Sequence, residues 1–415
     1  MEIAKCKMRT QRCRLPDSEG NARLMSNRRI GRVNSQNRRR SESLNSLLPC
    51  LAIYHFLSVV KVTLATYRRC RVKPITMPGS SRYHPEHPQG DRPETSPMTM
   101  LEAAKDHQSD VVVIGSINMD LVARAARIPS KGETVHGTSF ATIPGGKGAN
   151  QAVATARLGT SVAMIGRVGQ DAFGGELIKA LTNEHIDTWH VCVTEGCSSG
   201  IAQISVDQDG QNAITVVSGA NGWMSHEDID EIEPMIANAK VIMLQLEIPL
   251  DVVRYALQVA HKYDVVTMLD PAPVPDEGFP DDLFEVDILC PNQIEVQRIT
   301  GMSVSNAEDA RTAAAHMIER GTRYAIIKLG ADGAVIVGND GLDQLQPAFR
   351  VDVEDTTGAG DAFAGGLATG IVERKTMLES VRLACAAGGL ATTRLGAQRA
   401  MPTRREAAAL MTQKP

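Results

Sequence analysis

The sequence predicts an α/β fold: a three-layer α/β/α body around a mostly parallel sheet, carrying a small β-sheet lid. Three observations predict it. From residue 110 onward, short apolar runs alternate with helical segments, the pattern of repeated βαβ units. The runs are β-branched and nearly continuous, as strands covered by helices on both faces must be. Two stretches, 132–143 and 201–217, interrupt the alternation with shorter, more polar, turn-broken strands.

The elements follow in order. Asp-Val-Val-Val-Ile-Gly at 110–115 is a β-branched run closed by glycine, a buried strand. Further strands are expected at Ser161–Ile165, Val241–Gln245, Val265–Leu269, Asp287–Leu289 and Tyr324–Lys328. Helices are expected at Asp171–Glu184, Leu250–Lys262, Gln293–Thr300, Ala307–Arg320 and, built of small residues, Ala364–Val372. Lid strands fall near 117–143 and 198–221, with Asp-Gln-Asp-Gly at 207–210 as a hairpin turn. The folded domain spans 109–405, residues 406–415 form a tail, and no internal repeat is visible.

Charge divides the chain. Residues 1–100 hold 19 Lys and Arg against 7 Asp and Glu, whereas the whole chain carries a net −4. The acidic body is unlike a nucleic-acid binder. The basic segment 1–108 is rich in Arg, Ser, Pro and Asn and shows no period, so it buries too little apolar surface to offset ordering entropy. Its apolar run Leu47–Val60 is 14 residues long and contains Pro49 and His55, short of the roughly 20 residues a spanning helix needs. Three readings of 1–97 stay open: an unfolded extension, a segment upstream of a start at Met98 or Met100, or a membrane or nucleic-acid tether. The second is favoured. It implies that a protein beginning at Met98 is complete in fold and activity. Eight cysteines without CxxC pairs or zinc-like His spacing fit a reducing, cytoplasmic setting. Cys290 and Cys385 lie in apolar runs and read as core residues.

The strongest chemical signal is Asp-Thr-Thr-Gly-Ala-Gly-Asp-Ala-Phe at 355–363. Glycines ahead of a helix let backbone N–H groups converge, and the helix dipole adds positive potential. Gly358, Ala359 and Gly360 therefore form an anion hole where phosphate charge develops. Asp361, at the helix start, is placed to take a proton from an attacking hydroxyl. A plain capped helix is the alternative. The chain has no Gly-x4-Gly-Lys-Ser/Thr loop, and Gly146-Lys147-Gly148 lacks the third glycine of a dinucleotide fingerprint. Nor is that string expected to sit in a tight strand-to-helix turn. Asn118 and Asp120 follow the first strand, and Glu247 follows another. Carboxylates and amides beyond the carboxyl ends of strands suit a polyhydroxylated ligand. Pro-Gly-Gly-Lys-Gly-Ala-Asn-Gln at 144–151 opens a helix and offers Lys147 and Asn150. Each of these alone is equally well a turn or cap.

Together they carry a resemblance. From about 109 to 405 the chain resembles the ribokinase-like, phosphofructokinase-B type sugar kinases. Gly145–Ala152, Gly166-x2-Gly169-x-Asp171-x2-Gly174 and the 355–363 string match the family's two signature regions. Gly132-Glu133-Thr134-Val135 and Thr393–Gln398 resemble its ribose-specific members. The resemblance implies ATP-dependent phosphorylation of D-ribose at O5, with Asp361 as base. It implies a sugar site of Asn118, Asp120, Gly146, Lys147, Asn150 and Glu247. Asn292 and Glu295 match an Asn-x-x-Glu motif that places Mg²⁺, through water, and phosphate. Lys328, Gly330 and Gly360 fall where the nucleotide binds. Asp355, Thr357, Ala391, Arg394 and Gly396 match a loop for K⁺. A homodimer joined through the lid is also implied. Two departures stand out: Ala400 replaces a frequent serine, and Lys328 replaces a small hydroxyl residue. Lys328 reads equally well as a strand-end lysine reaching solvent. Other substrates (fructose, deoxyribose, adenosine) and a non-catalytic sugar-binding regulator remain open, although retention of Asp361 and its turn argues against the regulator.

Overall fold

The computed structural model describes residues 108–413. The readings of the basic segment, its apolar run and a start at Met98 or Met100 lie outside those residues.

The strands run in chain order β1 (Val111–Ile114), β2 (Asn118–Ala125), β3 (Gly137–Gly145), β4 (Val162–Gly169), β5 (Val191–Thr194), β6 (Gly200–Val206), β7 (Asn212–Val217), β8 (Val241–Leu244), β9 (Val266–Leu269), β10 (Ile288–Leu289), β11 (Tyr324–Lys328), β12 (Ala334–Gly338) and β13 (Asp343–Gln346). The helices are α1 (Lys147–Arg157), α2 (Ala172–Asn183), α3 (His226–Glu231), α4 (Glu233–Ile236), α5 (Leu250–Lys262), α6 (Gln293–Thr300), α7 (Ala307–Glu319), α8 (Ala359–Val372), α9 (Met377–Ala391) and α10 (Arg404–Met411).

The main sheet has the order β13-β12-β11-β10-β9-β8-β1-β4-β5. It is parallel from β5 to β11, with β12 and β13 added antiparallel at one edge. Strand β1 shows why both faces are covered. Val111 and Val113 enter one core cluster with α1, α8 and α9, whereas Val112 and Ile114 enter the other with α5 and α7. Period-two alternation between two buried faces yields a continuous apolar run. Helix α8 is small-residue rich for a packing reason. A Cβ on Gly365 would lie 2.6 Å from the Ala154 side chain, and one on Gly366 would lie 2.8 Å from the Ala384 backbone. Helices α1 and α9 therefore approach α8 closely. Cys290 and Cys385 are buried in this core, and burial pushes both thiols up to about 12.

The second sheet, β3-β2-β6-β7, is the lid. Strands β6 and β7 are antiparallel, and Asp207 closes their hairpin by accepting from the N–H groups of Asp209 and Gln211.

Several boundaries move. Strand β3 begins at Gly137 rather than residue 132 because Glu133 is held in a turn by Ser130 and Arg127. The tail expected at 406–415 instead contributes to α10, started by a Thr403–Glu406 capping box and anchored by buried Ala407 and Leu410. Gly146-Lys147-Gly148 does sit in a tight strand-to-helix turn. Gly146 alone separates β3 from α1, at φ 90°. A Cβ there would lie 2.7 Å from the Asn118 nitrogen, so only glycine admits this close approach.

Candidate active site

Strand order reverses at β1, which lies between β4 and β8. Side chains beyond the carboxyl ends of β1, β8, β9 and β11 therefore converge at a topological switch point. The lid strand β2 leaves directly from this edge, carrying Asn118 and Asp120.

Asp361 occupies the first turn of α8, whose N-cap Gly358 is left-handed at φ 75°. Its carboxylate is buried and doubly held. Asn150 Nδ2 donates to Oδ2 at 3.0 Å, and Gln151 Nε2 donates to Oδ1 at 3.2 Å. Burial pushes Asp361 up to about 6; Lys147 opposes this and Asp270 adds to it. The group is thus ionised near neutrality yet close to its titration point, a setting suited to a general base.

Asp120 is pushed up to about 7 by burial, then by the nearby charges of Glu247 and Asp361. Glu247 is held by Ser116, whose Oγ donates to Oε2 at 2.5 Å, and by the Lys147 N–H at 3.3 Å. Burial would lower Lys147, but Asp361, Asp270 and Glu247 outweigh it and keep the ammonium charged. The Asn118 carbonyl oxygen accepts from Asn221 Nδ2 at 2.7 Å, which leaves its own NH₂ for a ligand. Asn150 Oδ1 is a buried acceptor with no partner in the protein. Such an atom is what a ligand hydroxyl would satisfy. The expected sugar-site residues Asn118, Asp120, Gly146, Lys147, Asn150 and Glu247 thus meet around Asp361.

Lys328 lies beside the turn that precedes Asp361. A Cβ placed on Gly360 would be 3.6 Å from Lys328 Nζ, so the ammonium borders the Gly358–Gly360 turn. The reading of Lys328 as a solvent-reaching lysine is corrected here. Its Nζ is 2.8 Å from Asp270 Oδ1, and its side chain is only 13 % exposed. Burial lowers Lys328, but Asp270 and other neighbours outweigh it. Gly330, by contrast, is exposed in the turn that follows β11.

Asn292 and Glu295 form the capping box of α6. Glu295 accepts from the Asn292 N–H and Nδ2, each at 2.7 Å, and burial raises its carboxyl. Both oxygens keep a further lone pair, as a carboxylate accepting from metal-bound water requires. Among the described residues no group of three or more His, Cys, Asp and Glu could hold a metal by itself. That donor set fits Mg²⁺ carried largely by nucleotide phosphates and water.

The expected K⁺ residues also come together. Asp355 Oδ1 accepts from the Thr357 hydroxyl at 2.6 Å, and Oδ2 accepts from the Gly396 N–H at 2.8 Å. The Asp355 N–H donates to the Thr392 carbonyl, just after buried Ala391. The Arg394 guanidinium turns away to Glu406, leaving this position its backbone carbonyl. Oxygen donors on two tied loops fit a hard monovalent cation.

Four further residues at the site escaped the sequence reading: Ser116, Gln151, Asn221 and Asp270. Asp270 follows β9 just as Glu247 follows β8, so the strand-end rule that selected Glu247 reaches it too. Gln151 is the last letter of the 144–151 string. Nothing local marks Ser116 or Asn221, which act across 131 and 103 residues of sequence.

Comparison with known proteins adds the relatives. The profile described as "pfkB family carbohydrate kinase" matches residues 108–404. The chain is 38 % identical over 297 residues to a ribokinase of Haemophilus influenzae, covering 71 % of this chain and 96 % of that protein. It is 35 % identical over 294 residues to a deoxyribokinase of Salmonella typhi, covering 71 % of this chain and 96 % of that protein. Its fold is similar to that of Arabidopsis thaliana ribokinase complexed with ribose and ATP. That match has TM-score 0.69 and 32 % identity, covering 74 % of this chain and 100 % of that one. The α/β architecture with a separate small sheet is therefore the ribokinase-like fold.

Proposed function

We propose that this chain, which belongs to the pfkB family of carbohydrate kinases, transfers the γ-phosphoryl group of ATP to O5 of D-ribose. The observation that carries the reading is Asp361: a buried carboxylate at a helix start, held by two amides, between a carboxylate-rich pocket and a glycine turn bordered by Lys328.

In this reading the ribose hydroxyls meet Asn118, Asp120, Asn150 and Glu247, with the unpartnered Asn150 Oδ1 accepting one of them. The O5 proton passes to Asp361 as O5 attacks the γ-phosphorus in line. The O5–P bond forms, the bond from that phosphorus to the bridging oxygen breaks, and ADP leaves. The N–H groups of Gly358 and Gly360 and the Lys328 ammonium balance charge on the transferred group, the dominant need in phosphoryl transfer. The Ala359 N–H, expected to join them, instead donates to the Thr356 carbonyl at 3.2 Å. Mg²⁺, when bound with the nucleotide, neutralises its phosphates; Glu295 and Asn292 would orient its water shell. K⁺ would sit on the Asp355–Thr357 and Ala391–Gly396 loops and brace the anion hole. The lid closes over the sugar and excludes water as a competing nucleophile.

The lid also supports a homodimer. Ile214 and Val216 are exposed side by side on one face of it, at 54 and 52 %, with Phe140 and Val217 exposed on the opposite face. Exposed apolar side chains grouped this way favour a partner. Light scattering should return twice the chain mass, and Val216→Glu should return the single mass; a monomeric wild type would end this part of the reading. Among the described residues no helix is long and apolar enough to cross a membrane; a cytoplasmic location belongs to the proposal.

The deciding experiment is ATP-dependent phosphorylation by the purified chain, with D-ribose, 2-deoxyribose, fructose and adenosine, with and without K⁺. Ribose turnover well above the rest is expected. Preference for 2-deoxyribose would move the chain toward its deoxyribokinase relative, and sugar binding without turnover would make it a regulator.

A further inference from the structure

One buried charge has no place in the roles above. Asp270, just past β9, is 2 % exposed and touches both halves of the site. Its Oδ1 holds Lys328 Nζ at 2.8 Å, and its Oδ2 lies 4.0 Å from Lys147 Nζ. The same Oδ2 accepts from Gln151 Nε2 at 3.1 Å, and that NH₂ group also donates to Asp361 Oδ1 at 3.2 Å. One amide nitrogen therefore bridges two carboxylates.

The orientation of that amide is determined by chemistry. Turned over, Gln151 would aim its carbonyl oxygen at two carboxylates. As found, the carbonyl accepts from Gln245 Nε2 at 2.7 Å, in a fully buried position. The arrangement is more than a fold needs. A buried ion pair is on average no more stabilising than well-packed apolar residues of similar volume. Here it runs from the cation beside the anion hole to the oxygen of the base.

We propose that Asp270 is a positioning residue that ties the phosphate-side cation Lys328 to the base Asp361 through Gln151, so that both reacting ends of the site are held in one register. The inference rests on the kinase reading above. Around Asp361 the charged neighbours are Lys147 on α1, Asp120 on β2 and Asp270 after β9.

The test compares the full chain, Asp270→Asn, and Asp270→Asn combined with Lys328→Met. Asp270→Asn keeps the shape, frees the ammonium and removes one negative charge. Loss of register should lower kcat roughly 10- to 100-fold. KM for ATP should not rise, because the phosphate side becomes more positive, and KM for ribose should stay unchanged. The acid limb of the kcat profile should move to lower pH, since a negative neighbour of Asp361 is gone. The double variant, with a neutral pair, should recover melting temperature but not turnover, and should bind ATP about tenfold more weakly by calorimetry. Turnover of Asp270→Asn within about twofold of wild type, or turnover restored in the double variant, would overturn the proposal. So would raised KM for both substrates with a lowered melting temperature, which marks a structural residue. Wild-type inactivity on every sugar would refute the kinase reading instead. ATP affinity would then still decide the coupling: weaker binding by the double variant supports it, and unchanged binding by both variants overturns it.

Discussion

Two buried aspartates bridged by one glutamine are shifted in opposite directions, although burial raises both. Asp361 and its neighbour Asp120 are raised, to about 6 and about 7, because burial and other carboxylates surround them. Asp270 is more deeply enclosed, yet its carboxyl is lowered, because Lys328 and Lys147 outweigh the burial. Around Asp120 and Asp361 like charges crowd; around Asp270 opposite ones pair. The difference shows that local partners, not depth, decide what a buried carboxylate does. In the proposed mechanism a proton acceptor serves on one side and an ionised anchor on the other.

The largest effect that would break this contrast is Asp361→Asn. It should retain the wild-type circular dichroism spectrum and lose roughly 10²- to 10⁴-fold in kcat. Near-normal turnover would remove Asp361 from the role of base. Next, Lys328→Met alone should strand Asp270 and lower unfolding free energy by about 3–5 kcal/mol in denaturant titration. An unchanged midpoint would mean that Asp270 does not depend on its partner.

Asp120→Asn comes third. A charged hydrogen bond to a sugar hydroxyl is worth about 1.5–3 kcal/mol. KM for ribose should therefore rise roughly 10- to 100-fold while KM for ATP holds. Parallel rises in both would place Asp120 outside the sugar pocket.

pH sharpens the comparison further. The fold binds protons on Asp361 and Asp120 more tightly than the unfolded chain does. Both therefore cost stability above about 7 and cost less as pH falls through 7 and 6 toward 4. Turnover should follow the opposite course, declining below about 6 as Asp361 protonates. Asp270, lowered in the fold, contributes stability above the ordinary carboxylate range and loses it as pH drops through its depressed value. The melting-temperature gap between Asp120→Asn and wild type should therefore shrink from pH 8 to pH 5. A constant gap would show that Asp120 keeps an ordinary carboxyl. The smallest effect is expected at Ala400, a buried methyl after the Ala391–Gly396 loop. Ala400→Ser should modestly strengthen activation of turnover by K⁺, and an unchanged K⁺ response would separate this position from the cation.

Legibility followed the range of the interactions. Tyr324–Lys328, Leu250–Lys262 and Gln293–Thr300 were readable to the residue because periodicity, capping and turn glycines act within one element. Helix α10 gives only a tail-like signal in the sequence because its eight residues bury only Ala407 and Leu410. The Gly146 turn is hidden from sequence because its strand belongs to the lid, not to the parallel sheet. Asn292 and Glu295 carry two meanings at once, as a capping box and, in the proposed function, as a polar pair for the nucleotide's metal. Only the second needs the fold.

By itself the sequence determined the α/β alternation, the lid, the family and the candidate base, because each is written in contiguous residues whose chemistry is local. Tertiary structure alone decided that Lys328 is buried on Asp270, that Gln151 bridges Asp270 to Asp361, and that Ser116 and Asn221 brace Glu247 and Asn118. These contacts join residues 58 to 210 positions apart. Their effect comes from excluding water around charges, and no stretch of chain excludes water until the sheet and its helices have closed around it.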